Sequence, residues 1–375
     1  MDITQPLTLL NGLSPETFMK RHWQKKPLLI RGAIPGFKPL LERAALFDLA
    51  GSDSVESRLV AQVATAKGWT MKSGPIPRRA IPPLKQPNWT LLLQGMDLHH
   101  DGLHALMSQF RFVPDARLDD LMISYATPGG GVGPHFDSYD VFLLQAHGRR
   151  EWRIGRQKDL SLQPDVPLKI LANFVPEETF VLEPGDMLYL PPRYAHDGVA
   201  LDECMTYSIG FRAPKRGELA RDLLQRLADD APDEAGDALY QDSAQLAAAE
   251  PGAIPANYLE FAQNAVARAL KDPLVMARSL GEYLTEPKSS VFFDDGAAPR
   301  CDGAVRLDRR TKMMFDAEHI FINGESFLAS GRDAVLMREL ANQRALGARE
   351  VVKASEGAKE LLLDWIEAGW VHDIE

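Results

Sequence analysis

Residues 121–154, LMISYATPGGGVGPHFDSYDVFLLQAHGRREWRI, decide the fold. Short apolar and alternating runs are broken by Gly, Pro and Asp turns, the texture of a sandwich or barrel. At the centre, a glycine-rich run from Gly129 to Pro134 leads into His135-Phe136-Asp137. On extended backbone, residues i and i+2 share a face, so His135 and Asp137 point the same way. A second histidine, His196, follows Glu183-Pro184-Gly185-Asp186, the apolar run Met187–Leu190 and Pro191-Pro192. Two imidazoles and one carboxylate supply one face of an octahedron and leave three positions for an oxidant and a co-substrate. An isolated His-x-Asp is common and usually binds nothing. Here the glycine-rich lead-in, the apolar strand behind it and the downstream Pro-Gly-Asp turn favour a metal site. The other histidines show the ordinary alternative. His99, His100 and His104 sit in a polar segment and read as surface or capping residues; His22, His147, His319 and His372 read as structural.

The end of the stretch suggests a co-substrate anchor. Alternation from Arg149 to Ile154 puts Arg150, Trp152 and Ile154 on one face and Arg149, Glu151 and Arg153 on the other. The charged face meets solvent, so Arg150 is buried among apolar side chains and requires an anion. The distal carboxylate of 2-oxoglutarate is a candidate, since a guanidinium offers a bidentate fork. A structural acid is the alternative partner, and Arg212 is the alternative anchor. Ser124, on the alternating run Leu121–Ala126, is placed to add a hydroxyl to the same carboxylate, or else to satisfy nearby backbone.

Working outward, Ser14-Pro15-Glu16 reads as a helix start, with the helix running to Trp23. Short strands are expected at Pro27–Gly32, Leu59–Val63 and Trp89–Leu93, a helix at 39–50, and a proline-rich extended loop at 74–87. Within the β-rich part, strands are expected at Leu121–Ala126, Tyr139–Ala146, Trp152–Ile154, Phe180–Leu182, Met187–Leu190 and Met205–Phe211. After Pro214 the chain turns helical, with segments at 217–229, 236–249 and 256–270. Asn323-Gly324 marks a two-residue hairpin, flanked by helices at 332–345 and 355–368.

The chain has 375 residues, 45% of them hydrophobic, and a net charge of −10, which disfavours sequence-independent binding to phosphate backbones. Its two cysteines, Cys204 and Cys301, form no CxxC pair, which excludes a zinc knuckle and points to a reducing compartment. The N-terminus lacks a signal-peptide pattern and no apolar run is long enough to span a membrane, so a cytoplasmic protein is expected.

The runs 120–155, LEPGDMLYLPPRYAHDGVA (182–200) and MTYSIGFRAP (205–214), with HWQKKPLLIRG (22–32), resemble the bacterial ribosomal oxygenases, JmjC-type cupin-like 2-oxoglutarate hydroxylases. The resemblance covers most of residues 14–214. It implies a double-stranded β-helix (jelly-roll, cupin) catalytic domain over 1–214, a helical dimerisation region over 215–288 and a winged-helix-like module over 289–375. It implies Fe(II), 2-oxoglutarate and O2 as cofactors, with His135, Asp137 and His196 as ligands and Arg150 with Ser124 holding the co-substrate. It further implies hydroxylation of an arginine β-carbon in the sixteenth protein of the large ribosomal subunit, hence a basic ribosomal-protein partner, and a homodimer. For an arginine substrate, Tyr139, Asp140 and Asp197 are candidate guanidinium partners.

Three rivals stay open. A JmjC-type lysine demethylase shares the metal motif, although the acidic chain offers no evident nucleosome-binding face. A non-catalytic cupin binding module would form no succinate. A DNA-binding regulator would use Arg306, Arg309, Arg310 and Lys312, a cluster that otherwise reads as a solvated hairpin face; direct nucleic-acid binding is not expected.

Overall fold

A computed structural model describes residues 2–63, 68–294, 296 and 303–374, so Cys301 lies outside the described residues. The chain divides into two compact units, Met1–Ala213 and Pro214–Glu375.

In the first unit, α1 (Pro15–Arg21) starts as expected, with the Ser14 hydroxyl accepting from the Thr17 N–H and Pro15 at the first position. There follow β1 (Leu28–Ile30), α2 (Arg43–Leu49), β2 (Ser57–Gln62), β3 (Trp69–Ser73), β4 (Trp89–Leu93) and α3 (Asp101–Ser108). Then come β5 (Leu118–Ala126), β6 (Val141–His147), β7 (Arg150–Gly155), β8 (Glu178–Leu182), β9 (Met187–Leu190), β10 (Ala195–Ala200) and β11 (Cys204–Phe211). They form an eight-stranded sheet in the order β1-β9-β6-β11-β5-β4-β2-β3, and a three-stranded sheet in the order β10-β7-β8. All pairings in both sheets are antiparallel. This is the expected double-stranded β-helix.

The strands β5, β6, β9 and β11 are buried almost throughout and read as apolar runs. Behind the larger sheet, Phe18, Trp23, Phe142, Tyr189 and Phe211 form one aromatic cluster, with Phe18 and Tyr189 rings 5.0 Å apart. The apolar side of α1 thereby closes the core against the strands that carry the site. Bonded to the same cluster through Tyr189, Asp140 is fully buried. It accepts from the Tyr189 hydroxyl (2.6 Å), Gln24 (3.2 Å) and Arg117 (3.3 Å), so its charge is compensated.

The second unit opens with α4 (Arg216–Ala235), α5 (Ala256–Ala269) and α6 (Pro273–Thr285). It continues with β12 (Ala304–Leu307), β13 (Met313–Phe315), β14 (His319–Ile322), β15 (Glu325–Leu328), α7 (Gly331–Gln343), β16 (Ala345–Leu346), α8 (Ala348–Val352), α9 (Glu356–Glu367) and β17 (Val371–Ile374). Two small sheets, β16-β12-β17 and β13-β14-β15, pack with α7 and α9 around Leu340, Leu362 and Trp365. The β14–β15 turn is the expected two-residue one, with Asn323 and Gly324 both at positive φ (49° and 91°).

One expected helix is absent. Residues 236–249 are irregular. Gly236, at φ +74°, ends α4, and the apolar side chains beyond it, Leu239 (85% exposed) and Leu246 (83%), meet no core. Without an apolar face to bury, helix nucleation is not offset. Among the described residues no helix is long and apolar enough to cross a membrane.

Truncating Phe18 tests the core behind the site: Phe18→Ala should destabilise the first unit by about 3–5 kcal/mol, read as a lower urea midpoint for its unfolding transition.

Candidate metal and co-substrate site

The site lies in a cavity of about 200 Å³ lined from the larger sheet by Thr90, Leu92, Ser124, Val141 and Leu143, and from the smaller by Arg150, Trp152 and His196. The His-x-Asp segment is not the regular strand that its spacing suggests. It makes a single bridge to β10, in which the His135 N–H donates to the His196 carbonyl (2.9 Å) and the His196 N–H to the His135 carbonyl (2.8 Å). Further along, Gly129 N–H donates to Ala200 O and Ala200 N–H to Gly130 O. The glycines permit this approach: a Cβ on Gly131 would lie 2.6 Å from the Gly198 carbonyl oxygen, and one on Gly130 2.4 Å from that of Trp89. Composition thus brings two histidines that are distant in sequence onto adjacent backbone.

The three predicted ligand residues converge. Ligand atoms of His135, Asp137 and His196 all lie within 4.8 Å of one another, with His196 Nε2 3.7 Å from Asp137 Oδ2. Each imidazole Nδ1 sits beside a backbone carbonyl, Gly133 O at 2.9 Å and Tyr194 O at 3.0 Å. With Nδ1–H donating there, each Nε2 lone pair is left for a metal. Burial, followed by the neighbouring His135 charge, pushes the His196 pKa below its ordinary value, which keeps this imidazole neutral and able to ligate. Two nitrogens and a carboxylate on one face suit a divalent iron-type ion.

Arg150 is buried as the alternation predicted, with Trp152 and Ile154. Its Nη1 donates to Ser124 Oγ at 3.1 Å. Nε and Nη2 meet no acceptor among the described residues. These two form the side-on fork of a guanidinium, matched to both oxygens of one carboxylate. A buried charge left this way fits a carboxylate ligand. Arg212 does not line the cavity; its backbone pairs with that of Arg117.

The candidate substrate residues separate. Tyr139 lines the cavity mouth, and burial together with the charges of Asp137, Asp120 and Asp119 raises its phenol pKa. Asp140 is held in the network behind the sheet, and Asp197 pairs with Arg153 at 2.6 Å; neither lines the cavity. Asp119 and Asp120 do line it; Asp119 is half-buried, while Asp120 is 8% exposed and its Oδ2 accepts from the Gly95 N–H at 3.0 Å. The register shifts there, with Gly210 opposite Asp120 but Phe211 opposite Leu118. Asp119 is the extra residue of a bulge, so two successive carboxylates reach one opening. Neither is singled out by the sequence analysis; alternation with Met122 and Ser124 is the signal that puts Asp120 on this face. His100, read as a capping residue, does accept from Gly102 N–H at the start of α3.

A JmjC domain model matches residues 105–219, and a ROXA-like winged helix model matches 268–372. The chain is 36% identical over 278 residues to the ribosomal protein uL16 3-hydroxylase of Escherichia coli K12, covering 72% of this chain and 71% of that protein. It is 36% identical over 226 residues to a probable ribosomal oxygenase of Haemophilus influenzae, covering 59% and 55%. The structure superimposes on YcfD, a ribosomal oxygenase from Escherichia coli in complex with cobalt and 2-oxoglutarate, with a TM-score of 0.81 at 28% identity over 96% of this chain and 98% of that one.

Adding one methyl at the close approach tests how the site is assembled. Gly131→Ala should weaken Mn(II) or Co(II) binding at least tenfold in calorimetric titration, given the clash its Cβ meets. Gly217→Ala, whose Cβ meets nothing within 4 Å, should leave it unchanged.

Proposed function

The chain belongs to the ribosomal oxygenase family, and from that premise we propose that it hydroxylates the β-carbon of an arginine in ribosomal protein uL16, using Fe(II), 2-oxoglutarate and O2. The observation that carries this reading is the pairing of a His135–Asp137–His196 face with a carboxylate-shaped Arg150 fork in one cavity.

Nε2 of His135, Nε2 of His196 and the Asp137 carboxylate hold the metal. The Arg150 fork and Ser124 fix the distal carboxylate of the co-substrate. Iron with 2-oxoglutarate and dioxygen supplies the oxidising power to place one oxygen atom in a C–H bond, as the diacid becomes succinate and carbon dioxide. Val141, Leu143 and Trp152 keep the wall between the two anchors apolar and limit water there. Asp119 receives the substrate guanidinium, with the Asp120 carboxylate and the protonated Tyr139 phenol beside it in the cavity lining. That pairing of acids favours arginine over the methyl-lysine of a demethylase.

In the assay that tests this, the full chain is incubated with Fe(II), 2-oxoglutarate, O2 and uL16, and the products are analysed by mass spectrometry. One added oxygen on a single arginine, with succinate formed, is expected; loss of a methyl from a methyl-lysine peptide with uL16 untouched contradicts it. Asp119→Asn should raise KM for uL16 roughly tenfold while changing kcat less.

The helical segment is assigned to dimerisation. Leu224, Leu259 and Val266 on α4 and α5 are 56%, 56% and 62% exposed, apolar surface suited to a second copy. Leu259→Glu combined with Val266→Glu should convert the dimer to a monomer in light scattering, with the far-ultraviolet spectrum unchanged.

A further inference from the structure

The indole N–H of Trp152, like the Thr90 hydroxyl, is a buried polar group of the cavity lining with no task in the mechanism above. Trp152 is 5% exposed and lines the cavity, and its Nε1 meets no acceptor among the described residues. Its ring stands between the two ends of the site. The centroid is 5.8 Å from the His196 ring and 5.7 Å from the Arg150 guanidinium carbon. The ring is also held from behind. Gly198 faces Trp152 across the β10–β7 pairing, and a Cβ there would lie 2.6–2.9 Å from indole atoms Cζ3, Cη2 and Cε3. Glycine lets the indole lie directly on the β10 backbone two residues beyond His196, which fixes its distance from both ends.

The ordinary account makes Trp152 a core filler in the cluster with Val141, Leu143, Ile154 and Leu188. Filling space would need no N–H, and a buried donor without an acceptor is unfavourable. An indole of fixed position between a metal face and a carboxylate fork measures the length of whatever bridges them.

We propose that Trp152, seated on Gly198, is a specificity-determining residue for the co-substrate. It matches the span from the metal to the Arg150 fork to a five-carbon 2-oxo diacid, and its indole N–H donates to that diacid. The proposal rests on the reading of this cavity as a 2-oxoglutarate site.

The test is calorimetric titration of the full chain, loaded with Mn(II) and free of protein substrate, with oxaloacetate, 2-oxoglutarate and 2-oxoadipate. The wild-type chain should bind the five-carbon acid tightest. Trp152→Phe, which keeps an aromatic ring and removes the N–H, should weaken 2-oxoglutarate about tenfold. Trp152→Leu, which frees the wall, should bring 2-oxoadipate to within a few-fold of 2-oxoglutarate. Melting curves verify that both variants fold, and the phenylalanine variant carries the test alone if the leucine variant does not. Unchanged affinities and ranking in the variants, or an equal loss for all three acids, overturn the proposal, since a packing role weakens all alike. Should the wild-type chain bind none of the diacids, and Arg150→Met change nothing, the pocket reading fails and the proposal with it.

Discussion

The site depends on a reciprocal pair of backbone hydrogen bonds between His135 and His196. The pair joins two unlike parts: His135 belongs to a segment with almost no regular pairing, and its imidazole is placed beside that of His196, on a strand of the smaller sheet. The pair exists because Gly130 and Gly131 remove the side chains that would hold the lead-in away from β10 and β4. Backbone carbonyls at Gly133 and Tyr194 then orient both rings. Geometry that a catalytic metal needs is therefore set mainly by main-chain contacts, which a change of side chain elsewhere disturbs little.

Charge is arranged to the same end. Arg150 and Asp140 are both buried, but differently. Asp140 is surrounded by three donors and serves the structure behind the sheet. Arg150, in the cavity lining, has Nη1 engaged with Ser124 and a buried Nε and Nη2 that meet no acceptor among the described residues. The first is a compensated charge that holds β6 and β9 to the N-terminal segment; the second awaits an anion. That difference separates a structural ion network from a binding group more clearly than burial does.

Much of this was legible in the sequence, and the exceptions have physical causes. The buried face of Arg150 follows from alternation along β7; the ligand triad follows from residue types and their glycine- and proline-rich context, since His135 and Asp137 lie off any regular strand. The Asn323-Gly324 hairpin follows from its demand for positive φ. By contrast, β10 reads as Ala-His-Asp-Gly-Val, with a glycine present for the Trp152 ring rather than for a turn. The Asp119 bulge depends on register against β11, which no local pattern encodes. Asp140 and Asp197, candidate guanidinium partners by sequence, are engaged elsewhere: Asp140, just before β6, with Tyr189, and Asp197, next to His196 on β10, with Arg153. The alanine-rich run after Gly236 has helix propensity but no face to bury, and propensity alone does not hold a helix.

The most direct measurement is a crystal structure of the full chain grown with Co(II) and 2-oxoglutarate. The account predicts one ion bound by Nε2 of His135, Nε2 of His196 and the Asp137 carboxylate, with the diacid's far carboxylate on Nε and Nη2 of Arg150. An ion held without either histidine, or a diacid whose far carboxylate rests on Arg212 instead, would contradict it.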